Sequence, residues 1–268
     1  NLKGYTVIRG LYTAATGMNS MQHQIDVTSN NIANVNTTGF KQDRAEFQDL
    51  MYESLNYTAG KTTQSTMNPT GINVGLGVRV SGVQKNFTEG DLKLTSNTLD
   101  LAIKGKGFFQ ITLPSGETAY TRNGAFKLSS EGSIVNASGY SLSPEIVVPD
   151  NVKNLTIGKD GTVTATDPAT NTTVDLGQIT VADFINPAGL TPLGDSLFMK
   201  SDASGDVLEG NPNEEQFGSI QQGMIELSNV KLVNEMVDLI TAQRAYEANS
   251  KAITTTDSML DTVNRLKS

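Results

Sequence analysis

The sequence predicts an α+β fold, in which long N- and C-terminal α-helices pair as a coiled-coil-like stalk beside a mainly β central domain. Three observations carry this expectation. Apolar residues near both ends recur at spacings of three and four, the period of a helical seam. Between about residues 72 and 184 the period switches to two, with turn residues at near-regular intervals. The chain also lacks Trp and holds only 6% aromatic residues among abundant Gly, Thr and Asn, which suits extended, turn-rich structure.

The first element is a helix. Leu11, Ala14, Met18, Met21, Ile25, Thr28, Ile32 and Val35 hold an a/d pattern for more than three heptads. A helix from about Ile8 to Val35 would run roughly 40 Å at 1.5 Å per residue. Its last turns are crowded with Asn30, Asn31 and Asn34, although asparagine is a weak helix former whose amide competes for nearby backbone groups. Thr37-Thr38-Gly39 then ends the helix, with Gly39 suited to a left-handed cap, and Phe40 leads the chain toward the β region.

The strands follow. Ile72, Val74, Leu76, Val78 and Val80 alternate with Asn73, Gly75, Gly77, Arg79 and Ser81, the pattern of one half-buried strand. Further strands are expected at Leu99–Ile103, Phe108–Leu113, Phe126–Leu128, Ile146–Val148, Leu155–Ile157 and Gln178–Phe184. Turn tetrads at Pro114–Glu117, Ser130–Ser133 and Lys159–Thr162 punctuate them.

The last element is a second helix, from about Ser228 to Leu266 and roughly 58 Å long. Leu232, Leu239, Tyr246, Ile253 and Leu260 recur every seven residues along it, flanked by Met236, Ala242, Met259, Val263 and Leu266. Both seams carry small or polar residues, among them Ala14, Thr28, Gln243, Ser250 and Asp257. Such seams make a weak isolated pair but suit a crowded array of helices, so self-association is expected. The domain organisation expected is a terminal helical domain of residues 1–35 plus 225–268, a connecting segment 36–71 and a β-rich centre 72–224.

Composition narrows the function. The 28 acidic residues outnumber 20 basic ones, for a net charge of −8, which opposes binding to a nucleic-acid backbone. The absence of cysteine excludes thiol catalysis, disulfides and thiolate metal sites. No run approaches the roughly 20 apolar residues of a membrane span, so no membrane insertion is expected. Beyond Arg9, polar Asn19, Gln22 and His23 interrupt the apolar residues, so no cleavable signal peptide is expected, and a chain that left the cytoplasm would do so by another route.

No chemistry emerges either. His23 is the single histidine and lies among helical heptad positions, which reads as a structural or surface role. Gly75/Gly77 and Gly105/Gly107 match neither the dinucleotide fingerprint nor the P-loop. Carboxylates such as Asp91, Asp100 and Glu117 form no recognisable pair, and no calcium loop is present. The expectation is no catalytic residue, no cofactor and no metal.

Four stretches carry a resemblance. SNNIANVNTTGFKQDRAEFQDLMY (Ser29–Tyr52) resembles the N-terminal motif of the bacterial flagellar rod and hook axial proteins. LDLAIKGKGFFQI (Leu99–Ile111) and YTRNGAFKLSSEGSIVNASGY (Tyr120–Tyr140) resemble the two central motifs of that family, and Ile225–Leu266 resembles its C-terminal motif. Within the family, Glu53–Gly71 resembles the segment that marks the distal-rod branch, with a proximal rod or hook-like paralogue as the alternative. The stretch Asn1–Thr6 lies ahead of the point where family members usually begin.

The resemblance implies a structural subunit of the flagellar basal body that passes through the type III export apparatus and polymerises with itself into a helical tube. It implies a distal rod that crosses the periplasm inside the P-ring and L-ring proteins, and that joins the proximal rod proteins to the hook protein and transmits torque. Leu11, Met18, Ile25, Ile32, Leu232, Leu239, Tyr246, Ile253 and Leu260 would then be polymerisation residues. Asn30, Asn31, Asn34, Gly39 and Phe40 would form a joint, with the amides bonding across subunit boundaries.

Overall fold

The computed structural model describes residues 2–56, 72–149, 152–167, 172–214 and 216–265. Packing divides the chain into a helical unit, residues 1–32, 43–84 and 232–268, and a β unit, residues 33–42 and 85–231. The sequence places the start of the β-rich centre at residue 72; by packing, 43–84 belong with the helices.

The helical unit holds α1 (Leu2–Ala33) and α2 (Leu232–Arg265). The architecture is thus α+β, with a helix near each end and strands between. Helix α1 stops at Ala33, two residues short of Val35, and α2 starts at Leu232 rather than Ser228. Residues ahead of α2 are tied down in the β unit, where the Asn229 amide donates to the carbonyls of Asn86 (2.8 Å) and Thr88 (3.2 Å). A side chain so engaged holds its backbone outside the helix.

Two contacts fix the direction of the helices. Asn31 Nδ2 donates to Glu235 Oε2 at 3.1 Å. At the other end, a Cβ on Gly17 would stand 2.8 Å from Asn249 Nδ2. The contacts pair 31 with 235 and 17 with 249, two heptads apart on both helices and in opposite order, so α1 and α2 run antiparallel. Glycine at 17 lets the second contact be close.

The rest of the helical unit is a two-stranded ribbon. Asp43–Asp49 pairs with Val78–Lys85, and Tyr52–Asn56 pairs antiparallel with Ile72–Gly75. Leu50 N–H donates to Gly77 O (2.9 Å) and Leu76 N–H to Met51 O (3.2 Å), which makes the two pairs continuous. The strand expected at Ile72–Ser81 is therefore broken after Gly75. Gly77 lies at φ +114°, where a side chain is strained, and a Cβ there would overlap Thr16 Oγ1 of α1. Close approach of ribbon and helix requires the glycine.

In the β unit a nine-stranded sheet has Phe108–Thr112 near its middle, between Thr118–Thr121 and Ser141–Ser143. Phe109 enters the main core edge-on to Phe126, with ring centroids 5.3 Å apart. Phe108 enters a second cluster with Tyr120, Phe184 and Phe198. Both faces of the strand are buried, which is why it reads as a continuous apolar run.

The expected strands at Leu99–Ile103 and Phe108–Leu113 lie at Leu101–Lys104 and Phe108–Thr112, and that at Leu155–Ile157 is Lys153–Ile157. Only Lys127–Leu128 remains of the one at Phe126–Leu128. Gln178–Phe184 splits between two sheets, as the end of Thr173–Gln178 and as Val181–Phe184. Ile146–Val148 is not a strand but an isolated bridge, Ser133 to Val147. Its alternation is real, since Ile146 and Val148 are buried and Val147 is exposed, but it lacks a ladder.

Candidate functional site

Among the described residues, the longest run of exposed apolar side chains on the helices opens α2. Leu232, Val233, Met236, Val237 and Ile240 follow one another at helical spacing and are 39%, 73%, 48%, 54% and 50% exposed. Tyr246, one further turn and a half along, is also exposed. Leu239, Ile253 and Leu260 are half-buried, as are Leu11, Met18, Ile25 and Ile32 on α1.

The residues fully buried on the helices are others: Ala14, Ser20, Thr28 and Asn31 on α1, and Glu235 and Ala242 on α2. Small and polar side chains therefore fill the deepest positions of the helical unit, and the apolar heptads stay partly open. Thr28 and Asn31 are thus polar side chains in buried positions, where their polar groups require partners.

Asn31 is the best-placed of the three asparagines and is 1% exposed. Its Nδ2 donates to Asp43 O (2.8 Å) and Glu235 Oε2 (3.1 Å), and its Oδ1 accepts the Asp43 N–H (2.8 Å). The amide copies a strand partner for Asp43 and so fastens the first residue of the ribbon to α1. Within the chain both donors and the acceptor oxygen of Asn31 are engaged. Asn30 is exposed, and its Nδ2 reaches Asp43 Oδ2 at 3.3 Å. Asn34 accepts from the Thr37 hydroxyl at 3.1 Å, and its carbonyl accepts the Thr37 N–H.

Gly39 is left-handed, at φ +68°, but it caps nothing, because α1 has already ended at Ala33. Its glycine requirement comes from crowding in the β unit, where a Cβ would stand 2.6 Å from Asn123 N and 2.8 Å from the Arg122 carbonyl carbon. The Gly39 N–H donates to Glu226 O at 2.9 Å. Phe40 is half-buried, with the Lys85 ammonium 5.2 Å from its ring centroid.

Next to it lies a group that the sequence did not single out. The Lys41 ammonium and Glu226 carboxylate are fully buried and meet at 2.6 Å. Lys41 Nζ also donates to Thr88 O (2.7 Å), and Glu226 Oε1 accepts the Gly90 N–H (2.9 Å). Arg122 approaches the second carboxylate oxygen at 3.4 Å and donates to Ile103 O (3.1 Å) and Gly105 O (2.6 Å). Burial holds Lys41 below its ordinary value, against the opposing pull of Glu226, and burial likewise lowers Arg122. Two cations share one carboxylate, so Glu226 is the hub of the cluster. This arrangement fixes chain segments and shows no reacting geometry.

Among the described residues no cluster of His, Cys, Asp or Glu could hold a metal ion, and no helix is long and apolar enough to cross a membrane. His23 is exposed on α1. Residues 57–71, most of the distal-rod segment Glu53–Gly71, lie outside the described residues.

Three family models match in chain order. Residues 11–41 match "Flagella basal body rod protein", 102–165 match "Flagellar hook protein FlgE/F/G D1 domain", and 221–266 match "Flagellar basal body rod FlgEFG protein C-terminal". The flagellar basal-body rod protein FlgG of Borreliella burgdorferi is 44% identical over 263 residues, covering 97% of this chain and 99% of the relative. Its namesake in Agrobacterium fabrum is 46% identical over 260 residues, covering 96% and 99%. That of Caulobacter vibrioides is 46% identical over 263 residues, covering 97% and 100%.

Proposed function

The chain belongs to the FlgG family of flagellar basal-body rod proteins, and we propose that it builds the distal rod by packing the apolar face of α2 against helices of neighbouring copies. As a member of that family it is a structural axial subunit of the basal body. The single observation that carries the packing scheme is the exposed stripe Leu232, Val233, Met236, Val237 and Ile240. A soluble chain gains nothing from holding these side chains in water, whereas a neighbouring helix would bury them at about 25 cal/mol per Å².

The half-buried heptad Leu11, Met18, Ile25 and Ile32 offers the complementary surface, with α1 and α2 wound as a coiled-coil-like stalk in the assembled rod. The two surfaces differ, so the contact is heterologous and generates an open helical filament. The filament crosses the periplasm inside the P and L rings, joins the proximal rod to the hook and transmits torque. It catalyses nothing.

The test is the double substitution Val237→Asp and Ile240→Asp. Thermal unfolding of the β unit is expected to be unchanged, while cells lose motility and purified basal bodies end before the distal rod. Full-length rods containing the variant would overturn the packing scheme.

A further inference from the structure

The β unit is built from two pieces of chain that are far apart in sequence, residues 33–42 and 85–231. The cluster of Lys41, Arg122 and Glu226 joins them. Lys41 lies near the start of the unit, Arg122 in its middle and Glu226 near its end, Lys41 and Glu226 being 185 positions apart in sequence. The side chains of Lys41 and Glu226 are 0% exposed and that of Arg122 is 5% exposed.

Among the described residues, Glu226 is the carboxylate that both cations contact directly, at 2.6 Å and 3.4 Å. Without it, Lys41 and Arg122 would enter the interior with no carboxylate in direct contact, and the weaker pull of Glu89 and Asp183 would have to offset their desolvation. Glu226 also makes backbone contacts that only a docked segment can make. Its carbonyl accepts from Gly39, and the strand Met224–Glu226 pairs with Leu92–Leu94. Two strands of the early part of the unit thus wait for late partners, because Leu101–Lys104 likewise pairs with Ser219–Gln222.

We propose that Glu226 is the keystone of folding: the β-unit interior closes around Lys41 and Arg122 only when the outgoing segment 224–229 docks on the incoming segment 39–42. A chain that emerges N-terminus first therefore keeps its β unit open until all but its C-terminal helix has emerged. Chain topology alone would delay the two edge pairings. The ion cluster extends the delay to the central sheet, since Arg122 directly follows the strand Thr118–Thr121, which pairs with Phe108–Thr112.

Pulse-labelling hydrogen exchange during refolding of the full chain tests this. Amides of the strand Phe108–Thr112 are expected to gain protection in the same kinetic phase as the Gly39 and Gly90 amides, which report Glu226 docking. Protection of Phe108–Thr112 in an earlier phase than Gly39 would overturn the proposal. A second arm replaces all three charges together, with Lys41→Met, Arg122→Met and Glu226→Met. Removing the need for compensation should let the central strand gain protection before Gly39, by at least about tenfold in rate. If the two remain in one phase in that variant, topology and not the ion cluster sets the order, and the keystone role is wrong.

Discussion

Asn31 and Glu226 show how differently two buried polar groups are held. Asn31 uses its amide as a substitute peptide for Asp43 and as a donor to Glu235. Replacing it with leucine keeps the branching of the side chain but adds bulk and leaves the part-buried Asp43 N–H and carbonyl without that partner, at about 1–3 kcal/mol for each such bond lost. Asn31→Leu is expected to lower the stability of the isolated subunit by about 3 kcal/mol in urea titrations followed by helical circular dichroism. No loss of stability would mean that the bonds to Asp43 are not maintained in solution. Glu226→Gln keeps the shape of its side chain and removes the carboxylate charge that Lys41 and Arg122 meet directly, leaving them the more distant Glu89 and, for Arg122, Asp183. An expected loss of about 3–5 kcal/mol should appear in the unfolding of the β unit, because breaking a buried pair strands its charges. The asparagines were legible in the sequence as an anomaly, since a weak helix former was repeated at a helix end. Their partners were not, because Glu235 lies 204 residues away and no local pattern links it to Asn31. Lys41 was harder still, as a lysine after Phe40 looks like any solvated lysine until its surroundings are known.

The helices and the ribbon were unequally readable for a similar reason. Heptads announce a helix through local spacing alone, so three of the four helix ends lie within four residues of expectation, whereas α1 begins at Leu2, six residues ahead of Ile8, where the seam has not yet started. The ribbon was read as one strand because Ile72–Ser81 alternates without interruption, and period-2 alternation says nothing about which element covers it. What breaks it is contact with Thr16, where Val78 N–H reaches the hydroxyl oxygen at 3.5 Å and Gly77 leaves room for it. Gly77→Ala therefore carries two separable penalties, the cost of φ +114° with a side chain and the overlap with Thr16. The first is worth about 1–3 kcal/mol. Gly77→Ala should destabilise the helical unit, and adding Thr16→Gly should recover the steric part while leaving the dihedral part. A double variant no more stable than Gly77→Ala would show that the ribbon does not approach α1 at this point. In the β unit, strands with two buried faces, such as Phe108–Thr112, were found from their apolar runs. The failures fell where alternation had no ladder, as at Ile146–Val148, or where a run crossed from one sheet to the next, as at Gln178–Phe184.

Charge is distributed unevenly between the two units, and this bears on assembly. Nearly all of the net charge of −8 falls within residues 33–42 and 85–231, leaving the helical unit close to neutral. A near-neutral helical unit can be crowded against copies of itself without electrostatic cost, whereas like-charged β units repel whenever subunits are brought side by side. The repulsion is between exposed charges and falls off over a Debye length of about 10 Å at 0.1 M salt and about 30 Å at 0.01 M. Polymerisation driven by apolar burial on α2 and opposed by the β units should therefore strengthen as salt is raised. Light scattering of purified subunits is expected to show a lower critical concentration at about 0.2 M than at about 0.02 M sodium chloride. The opposite trend would mean that ion pairs between subunits, and not apolar helix packing, hold the polymer together. The Val237→Asp, Ile240→Asp variant separates the two explanations further, because it removes the apolar driving force and adds charge to the neutral unit. It should stay monomeric at both salt concentrations.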